Sequence, residues 1–231
     1  MRGTLDVSVK RATGRERDGS GCYHRIVSSR VLVGLVAAGA VAFFVLGSGG
    51  SETWRIRNDR PGRGPVVCFG DSLTYGHGAE PAQSYPSVLR GLLGREVVNR
   101  GKNGDTSAAA LERLDEVVSL EPAVVILTLG GNDMLQCVPI ADTVAAMTGI
   151  FDRLLAAGSM VVFLGIDPPL ASGARMEAIQ ALCRERGVLW VGDVMGGLWG
   201  DRSRMSDQIH PNAAGYRAIA ERVAGAVRPR L

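Results

Sequence analysis

The sequence has few aromatic residues, few histidines and no excess of one charge beyond its first 30 residues. Aromatic residues make up 5% of the 231 residues, whereas 46% are hydrophobic and 21% are charged. This composition excludes a disordered polypeptide, a collagen-like chain and a membrane protein with many spans. The chain is therefore expected to fold, and its length fits one domain.

The formal charge of +3 belongs to the N-terminus. Residues 1–30 carry seven basic and three acidic side chains, which leaves 19 basic and 20 acidic side chains for the rest of the chain. A near-neutral body lacks the basic surface of a DNA- or RNA-binding protein. No nucleic-acid partner is expected.

The chain also lacks a recognisable metal-binding motif. Its four cysteines include no C-x-x-C pair, and its three histidines do not have the spacing of a zinc site. We therefore expect no metal and no cofactor. Spacing does not decide whether Cys137 and Cys183 pair or remain buried free thiols, and we favour free thiols.

An apolar segment follows the basic leader. Residues 31–46 are uncharged, and the glycine-rich residues 47–50 extend them. Sixteen helical residues rise only about 24 Å, less than a hydrocarbon core of ~30 Å, so residues 47–50 would have to contribute to a span. A buried core helix is the alternative, but the basic residues upstream and the polar sequence downstream favour a membrane or export segment.

This segment defines a predicted topology. Its basic flank predicts residues 1–30 as a cytoplasmic leader and residues 31–50 as a transmembrane signal anchor or a cleaved signal peptide. Residues 51–65 are polar, contain two prolines and have no apolar period, so they are predicted as a linker. Residues 66–231 would then form a periplasmic or extracellular domain, held at the membrane or secreted if the segment is cleaved.

From Val66 onward, apolar β-rich runs alternate with helical patterns. The alternation predicts an α/β domain with a parallel, doubly wound sheet, and the 123–129 run is apolar enough to be covered on both faces. The predicted strands are Val66–Phe69, Glu96–Val98, Ala123–Leu129, Met160–Gly165 and Val188–Val191. The predicted helices are Tyr85–Leu93, Ser107–Leu120, Ile140–Ala157, Gly173–Arg186 and Asn212–Val227.

Four polar loops lie between these elements. In an open parallel sheet the ligand binds beyond the carboxyl ends of the strands, so one edge of the sheet can gather all four loops. Their sequences are GDSL at 70–73, NGDTS at 103–107, GGND at 130–133 and DQIHPN at 207–212.

In this order the four blocks resemble those of the SGNH hydrolases, the GDSL esterase and lipase family, and the resemblance extends from about Val66 to the C-terminus. It implies a three-layer α/β/α, flavodoxin-like fold and a serine esterase that works through an acyl-enzyme. GDTS and GGND occur in these forms in the small bacterial periplasmic thioesterase, lysophospholipase and arylesterase group, so the sequence is most similar to that group. The implied substrates are esters, thioesters or lysophospholipids.

The catalytic candidates also follow from the chemistry of ester hydrolysis, which needs a nucleophile, a base and an orienting acid. His24 lies in the leader, and His77 follows Ser72 too closely to have an orienting carboxylate, so His210 remains as the base. Asp207 can accept the Nδ1 proton of His210 and direct its Nε2 toward Ser72. The predicted triad is Ser72, His210 and Asp207.

Structural roles are the alternative for the same residues. Ser72 could be a helix N-cap, a role that Asp71 could fill equally. Asp207 and His210 could form a capped turn before the last helix, with Pro211 at its first position. Neither alternative explains why two further loops carry a glycine and a carboxamide to the same sheet edge.

Those loops supply candidate donors for an oxyanion. Gly104 can bring its N–H close to a ligand because it has no Cβ, and Asn132 offers its side-chain amide. With the N–H of Ser72 they make three donors.

The neighbouring residues are predicted to support the site. Gly131, with Gly130, allows the tight turn that presents Asn132. Asp71 and Asp133 are predicted to brace their loops as hydrogen-bond acceptors, since Asp207 already fills the role of catalytic acid.

The substrate is less well determined by the sequence. The loops 134–140 and 167–175 differ from those of the thioesterase group, and four apolar residues in or directly after these loops could line an acyl groove or pack against the sheet. These residues are Leu135, Val138, Leu170 and Met176. An acetylesterase or an O-acyltransferase acting on cell-envelope glycans is the alternative enzyme, and a non-catalytic envelope-binding module is the alternative outside enzymes.

Overall fold

The computed structural model describes residues 54–169 and 173–231. The predicted leader and membrane segment lie outside these ranges, as does Leu170. None of the helices in the described ranges is long and apolar enough to cross a membrane. The membrane segment at 31–50 therefore stays a prediction.

The domain alternates strands and helices, as the sequence predicts. The strands are β1 (Val66–Gly70), β2 (Val97–Gly101), β3 (Val124–Thr128), β4 (Met160–Leu164) and β5 (Leu189–Val191). The helices are α1 (Ser72–Tyr75), α2 (Tyr85–Leu93), α3 (Ser107–Glu112), α4 (Asp115–Val118), α5 (Gly131–Leu135), α6 (Ile140–Ala156), α7 (Ala174–Arg186) and α8 (Ala213–Val227). Two short 3₁₀ helices cover Pro81–Gln83 and Arg228–Arg230.

The five strands form one parallel sheet with the order β2-β1-β3-β4-β5. This is the strand order of flavodoxin-like folds, in which the direction of winding reverses between the first and third strands. The predicted parallel α/β sheet is therefore confirmed, and the reversal leaves a crevice at the carboxyl ends of β1 and β3.

Helices cover both faces of the sheet. Alternate residues along the central strands point to opposite sides, as the two-residue period of a strand requires. One core, formed with α2 and α8, includes Val66, Cys68, Val124, Ile126, Leu89, Tyr216 and Ile219. The other core, formed with α3, α4, α6 and α7, includes Val67, Phe69, Val125, Leu127, Ala110, Val117, Ile150 and Ile179.

The predicted helix Ser107–Leu120 is wrong in one respect, because the chain breaks it into α3 and α4. Arg113 ends α3, and its guanidinium turns back to the sheet, where it donates to the carbonyls of Gly70 and Arg100 at 3.1 Å. It also lies over the ring of Phe69 at 4.3 Å. The tertiary contacts of one arginine therefore outweigh the continuous helical pattern.

The predicted linker is not a free tether where the structure describes it. Trp54 donates its indole N–H to the carbonyl of Val188 at 2.8 Å, and the N–H of Arg57 donates to the carbonyl of Gly187 at 2.8 Å. The side chain of Asn58 donates to the carbonyls of Leu155 and Ser159. Residues 54–58 thus pack along the folded domain.

The cysteines divide by environment. Cys68 and Cys183 are buried free thiols, so Cys183 does not pair with Cys137. Cys137 is exposed, and the prediction of a buried thiol is wrong for that residue.

Candidate active site

Four loops meet at the carboxyl edge of the sheet. Helix α1 begins two residues after β1 ends, and α5 begins three residues after β3 ends. The NGDTS loop follows β2, and the DQIHPN loop precedes α8. Their side chains line one cavity at the point where the winding of the sheet reverses, as the topology predicts.

The three candidate catalytic side chains form a continuous hydrogen-bonded chain. The Oγ of Ser72 lies 3.0 Å from the Nε2 of His210, and the Nδ1 of His210 lies 2.8 Å from an Oδ of Asp207. These distances are within the range for a nucleophile, a base and the group that orients the base.

Asp207 is held by backbone donors as well. Its other carboxylate oxygen accepts the N–H groups of Ile209 and His210, each at 2.7 Å. Partial burial raises the pKa of Asp207, but the hydrogen bonds from His210 and Ile209 outweigh this effect and lower the pKa to about 2. Asp207 is thus ionised at neutral pH and able to stabilise an imidazolium.

The structural alternatives explain only part of this geometry. Asp71, not Ser72, caps α1, because its carboxylate accepts the N–H of Leu73 at 3.0 Å. Asn212 caps α8 by accepting the N–H groups of Ala214 and Gly215, so Pro211 is not at the first helical position. The hydroxyl of Ser72 is therefore free of the capping role and faces His210.

The three candidate oxyanion donors face the same cavity. Gly104 has a φ of +81°, which is accessible to glycine without strain. Among the described residues, the N–H groups of Ser72 and Gly104 donate to no protein group. Asn132 donates one amide hydrogen to the carbonyl of Asp105 at 2.9 Å, which orients the amide and leaves the second hydrogen for a ligand.

A buried carboxylate joins the two loops that carry these donors. Asp133 is 0% exposed and accepts the N–H and the hydroxyl of Ser107, the N–H at 2.9 Å. It also accepts the hydroxyl of Thr143 at 3.1 Å. Asp133 therefore has the loop contacts that the sequence predicts, and it connects the Asn132 loop to the Gly104 loop.

The turn before Asn132 depends on Gly130 more than on Gly131. Gly130 has a φ of +99°, whereas Gly131 has no positive φ and begins α5. A Cβ on Gly131 would lie 3.6 Å from a carboxylate oxygen of Asp71, which is an ordinary contact distance, so the packing of the two loops does not require glycine at this position.

Asp71 is buried next to two other acids. Its side chain is 3% exposed. Burial raises the pKa of Asp71 from 3.8 to about 7; the hydrogen bond from Leu73 lowers it, and the charges of Asp105 and Asp133 raise it. The carboxyl group of Asp71 therefore binds its proton more tightly in the folded protein than in the unfolded chain.

This difference predicts a dependence of stability on pH. The stabilising contribution of the Asp71 proton is complete below pH about 4 and is lost as the pH rises through about 7. Asp71→Asn keeps an oxygen for the Leu73 N–H but does not titrate. We expect urea unfolding, followed by tryptophan fluorescence, to show that the free energy of unfolding of Asp71→Asn rises by about 2–3 kcal/mol relative to that of the parent between pH 5 and pH 8.

Asp167→Asn is the matched control, because Asp167 is exposed. Its free energy of unfolding should follow that of the parent at every pH. A constant difference between Asp71→Asn and the parent across this range would show that Asp71 does not take up a proton there.

The cavity beside the triad has a volume of about 450 Å³ and a mostly apolar lining. Of the four residues predicted to line an acyl groove, Leu135 does so and Met176 lies in a small adjoining pocket. The carbonyl of Val138 instead accepts a hydrogen bond from Arg175 at 2.6 Å. The apolar lining residues are Leu73, Met134, Leu135, Ile166, Pro168, Pro169, Trp199 and Ile209.

Two contributors to the site were not predicted. Trp199 and His77 both line the cavity, and the ring of His77 lies against that of His210. Trp199 lies outside every predicted element, so no local pattern points to it. The glycines on both sides of His77 indicate a tight turn, but its partner is 133 residues away.

The chain matches the model of the GDSL-like Lipase/Acylhydrolase family over residues 68–218. It is 32% identical over 178 residues to the esterase TesA of Pseudomonas aeruginosa, which covers 72% of this chain and 89% of that protein. It is 29% identical to the thioesterase 1/protease 1/lysophospholipase L1 of Escherichia coli K12, over 71% of this chain and 83% of that protein. A crystal structure of TesA superposes with a TM-score of 0.67 at 29% identity, covering 72% of this chain and 99% of that one.

Proposed function

The chain belongs to the GDSL-like lipase/acylhydrolase family and is a carboxylic ester hydrolase, and we propose that Ser72, His210 and Asp207 are its catalytic triad. The observation that carries this proposal is the hydrogen-bonded chain from Ser72 through His210 to Asp207, with distances of 3.0 and 2.8 Å. The family assignment favours an enzyme over a binding module.

In the proposed reaction the Oγ of Ser72 attacks the ester carbonyl carbon while the Nε2 of His210 takes the hydroxyl proton. The negative carbonyl oxygen of the tetrahedral intermediate accepts hydrogen bonds from the N–H groups of Ser72 and Gly104 and from the amide of Asn132. When the bond to the leaving group breaks, His210 returns the proton to the departing alcohol or thiol. Water then attacks the acyl-enzyme by the same route and releases the acid.

The cavity supports an acyl chain longer than acetyl as the substrate group. Most of its lining is apolar and includes Leu135 and Trp199. Its volume of about 450 Å³ falls within the range of cavities that enclose small ligands. An acetyl group would leave most of this apolar surface uncovered. The proposed substrates are therefore fatty acyl esters or thioesters rather than acetylated glycans.

Chain-length preference tests this assignment. The purified full-length chain, kept in mild detergent because of residues 31–50, is assayed with p-nitrophenyl esters from acetyl to dodecanoyl. We expect kcat/KM to rise by up to about fourfold for each methylene that the cavity buries, from a transfer free energy of about 0.8 kcal/mol. An optimum at acetyl would instead support the acetylesterase alternative.

A cavity-filling variant makes the test specific to this site. Leu135→Trp should move the optimum to shorter esters, because Leu135 lines the cavity. Ile140→Trp is the matched control, since Ile140 is 37% exposed and does not line the cavity. The same shift in both variants would contradict the assignment of this cavity to the acyl chain.

We also propose that residues 31–50 hold the domain outside the cytoplasm. The uncharged run and the basic residues before it support this orientation. Protease added to intact spheroplasts should digest the domain while a cytoplasmic marker protein survives. Protection of the domain until the membrane is lysed would contradict the orientation.

A further inference from the structure

A second histidine lies against the proposed catalytic base. The ring centroids of His77 and His210 are 4.4 Å apart, and the rings are tilted by 52°. One ligand atom from each histidine and one carboxylate oxygen of Asp207 lie within 4.8 Å of one another. Two imidazoles and a carboxylate are a typical donor set for a zinc ion. The spacing of the histidines along the chain gives no indication of this cluster.

The backbone of His77 is held on both sides. Its N–H donates to the carbonyl of Ser72 at 3.0 Å, and its carbonyl accepts the hydroxyl of the buried Tyr216 at 2.7 Å. Its neighbours Gly76 and Gly78 have φ angles of +96° and +91°, so the turn has a conformation that glycine favours.

This turn packs directly on the segment that carries the other two ligands. A Cβ on Gly78 would lie 2.1 Å from the Oγ of Ser206 and 2.8 Å from the carbonyl oxygen of Pro211. Since Ser206 and Pro211 flank the segment with Asp207 and His210, the cluster is fixed by close packing between two loops.

The two histidine rings differ in the hydrogen bonds that they make. The ring of His77 makes no hydrogen bond with any described residue, and the side chain is exposed. Both ring nitrogens of His210 are engaged, one with Asp207 and one with Ser72. A metal ion bound in this cluster would therefore take a nitrogen that the proton transfer requires.

We propose that His77, His210 and Asp207 bind a divalent transition-metal ion such as Zn²⁺ and that its binding switches the esterase off. The inhibitory role rests on the proposed triad, whereas the binding itself does not. Zn²⁺ bonds to histidine nitrogen and carboxylate oxygen at about 2.0–2.2 Å, so the three donors would close around the ion. Binding requires a lone pair on each imidazole and so removes the free base.

Zinc titration of the full-length chain in detergent tests the site by two readouts. Calorimetry with ZnCl₂ is performed on Ser72→Ala, which keeps all three donors, and ester hydrolysis is measured on the parent with and without a chelator. We expect one ion bound per chain and inhibition that the chelator reverses. In His77→Gln, both the affinity for zinc and the sensitivity to inhibition should fall at least about 10-fold. A loss of this size is typical even when the replaced group only hydrogen-bonds to a metal ligand, whereas His77 would bind the ion itself.

The outcomes separate this site from the proposed triad. Zinc binding that His77→Gln weakens, in a parent that hydrolyses no ester, would support the site and overturn the proposed function. An active parent that zinc neither binds nor inhibits would overturn the site. Equal inhibition of the parent and of His77→Gln, with circular dichroism showing both folded, would place the ion elsewhere and overturn it as well. Asp207→Asn gives a second binding test that does not depend on the His77 turn.

Discussion

Ser72→Ala is expected to lower kcat for ester hydrolysis by at least about 10⁴-fold, because the variant has no oxygen to form the acyl-enzyme. The fold should persist, since Asp71 caps α1 and alanine is compatible with a first helical turn. The measurement is kcat on the best p-nitrophenyl ester, with mass spectrometry after treatment with a fluorophosphonate. The parent should carry the phosphonyl adduct on Ser72, and the variant should carry none.

Ser87→Ala is the matched control for this loss. Ser87 lies on α2 outside the cavity, and its hydroxyl donates to the carbonyl of Pro81 at 2.7 Å. It should hydrolyse esters at the rate of the parent. Retained activity in Ser72→Ala, or an adduct on another serine, would remove Ser72 from the proposed mechanism.

The strand and helix pattern could be predicted because it depends on local periodicity. Predicted and observed bounds coincide for α2 at Tyr85–Leu93 and differ by one residue at one end for α6 and α7. Prediction fails where a distant contact decides the structure. Arg113 ends α3 because its guanidinium reaches Asp105 at 2.5 Å and carbonyls at the strand ends, and none of these partners is visible in a helical period.

In the candidate site, too, contacts between residues close in sequence could be predicted, and contacts that depend on the packing of the domain could not. Asp207 and His210 are three residues apart, so their contact can be expected from spacing. The contact of His210 with Ser72 spans 138 residues and becomes predictable only because parallel strands bring their carboxyl ends to one edge. No such rule places His77 or Trp199, since both lie in loops whose course depends on the packing of the whole domain.

The second large effect is expected from the oxyanion donors. Asn132→Ala should lower kcat by about 10²–10³-fold, equivalent to about 2.7–4 kcal/mol, because one donor to the developing negative charge is lost. The nucleophile and base remain, so the phosphonyl adduct on Ser72 should still form, although slowly. If Asn132 acts only in the transition state, kcat and kcat/KM should fall by equal factors while KM stays unchanged.

Two further variants distinguish this role from support of the loop. Asn132 also donates to the carbonyl of Asp105 at 2.9 Å, so its removal could displace the Gly104 loop instead. Asn132→Asp keeps the shape but places a negative charge beside the oxyanion, so it should lose more activity than Asn132→Ala. Asn103→Ala, which removes another carboxamide from the cavity wall, should have a kcat close to that of the parent. A loss in Asn132→Ala that appears only in KM would assign Asn132 to substrate binding, and the oxyanion would then have two donors, the N–H groups of Ser72 and Gly104.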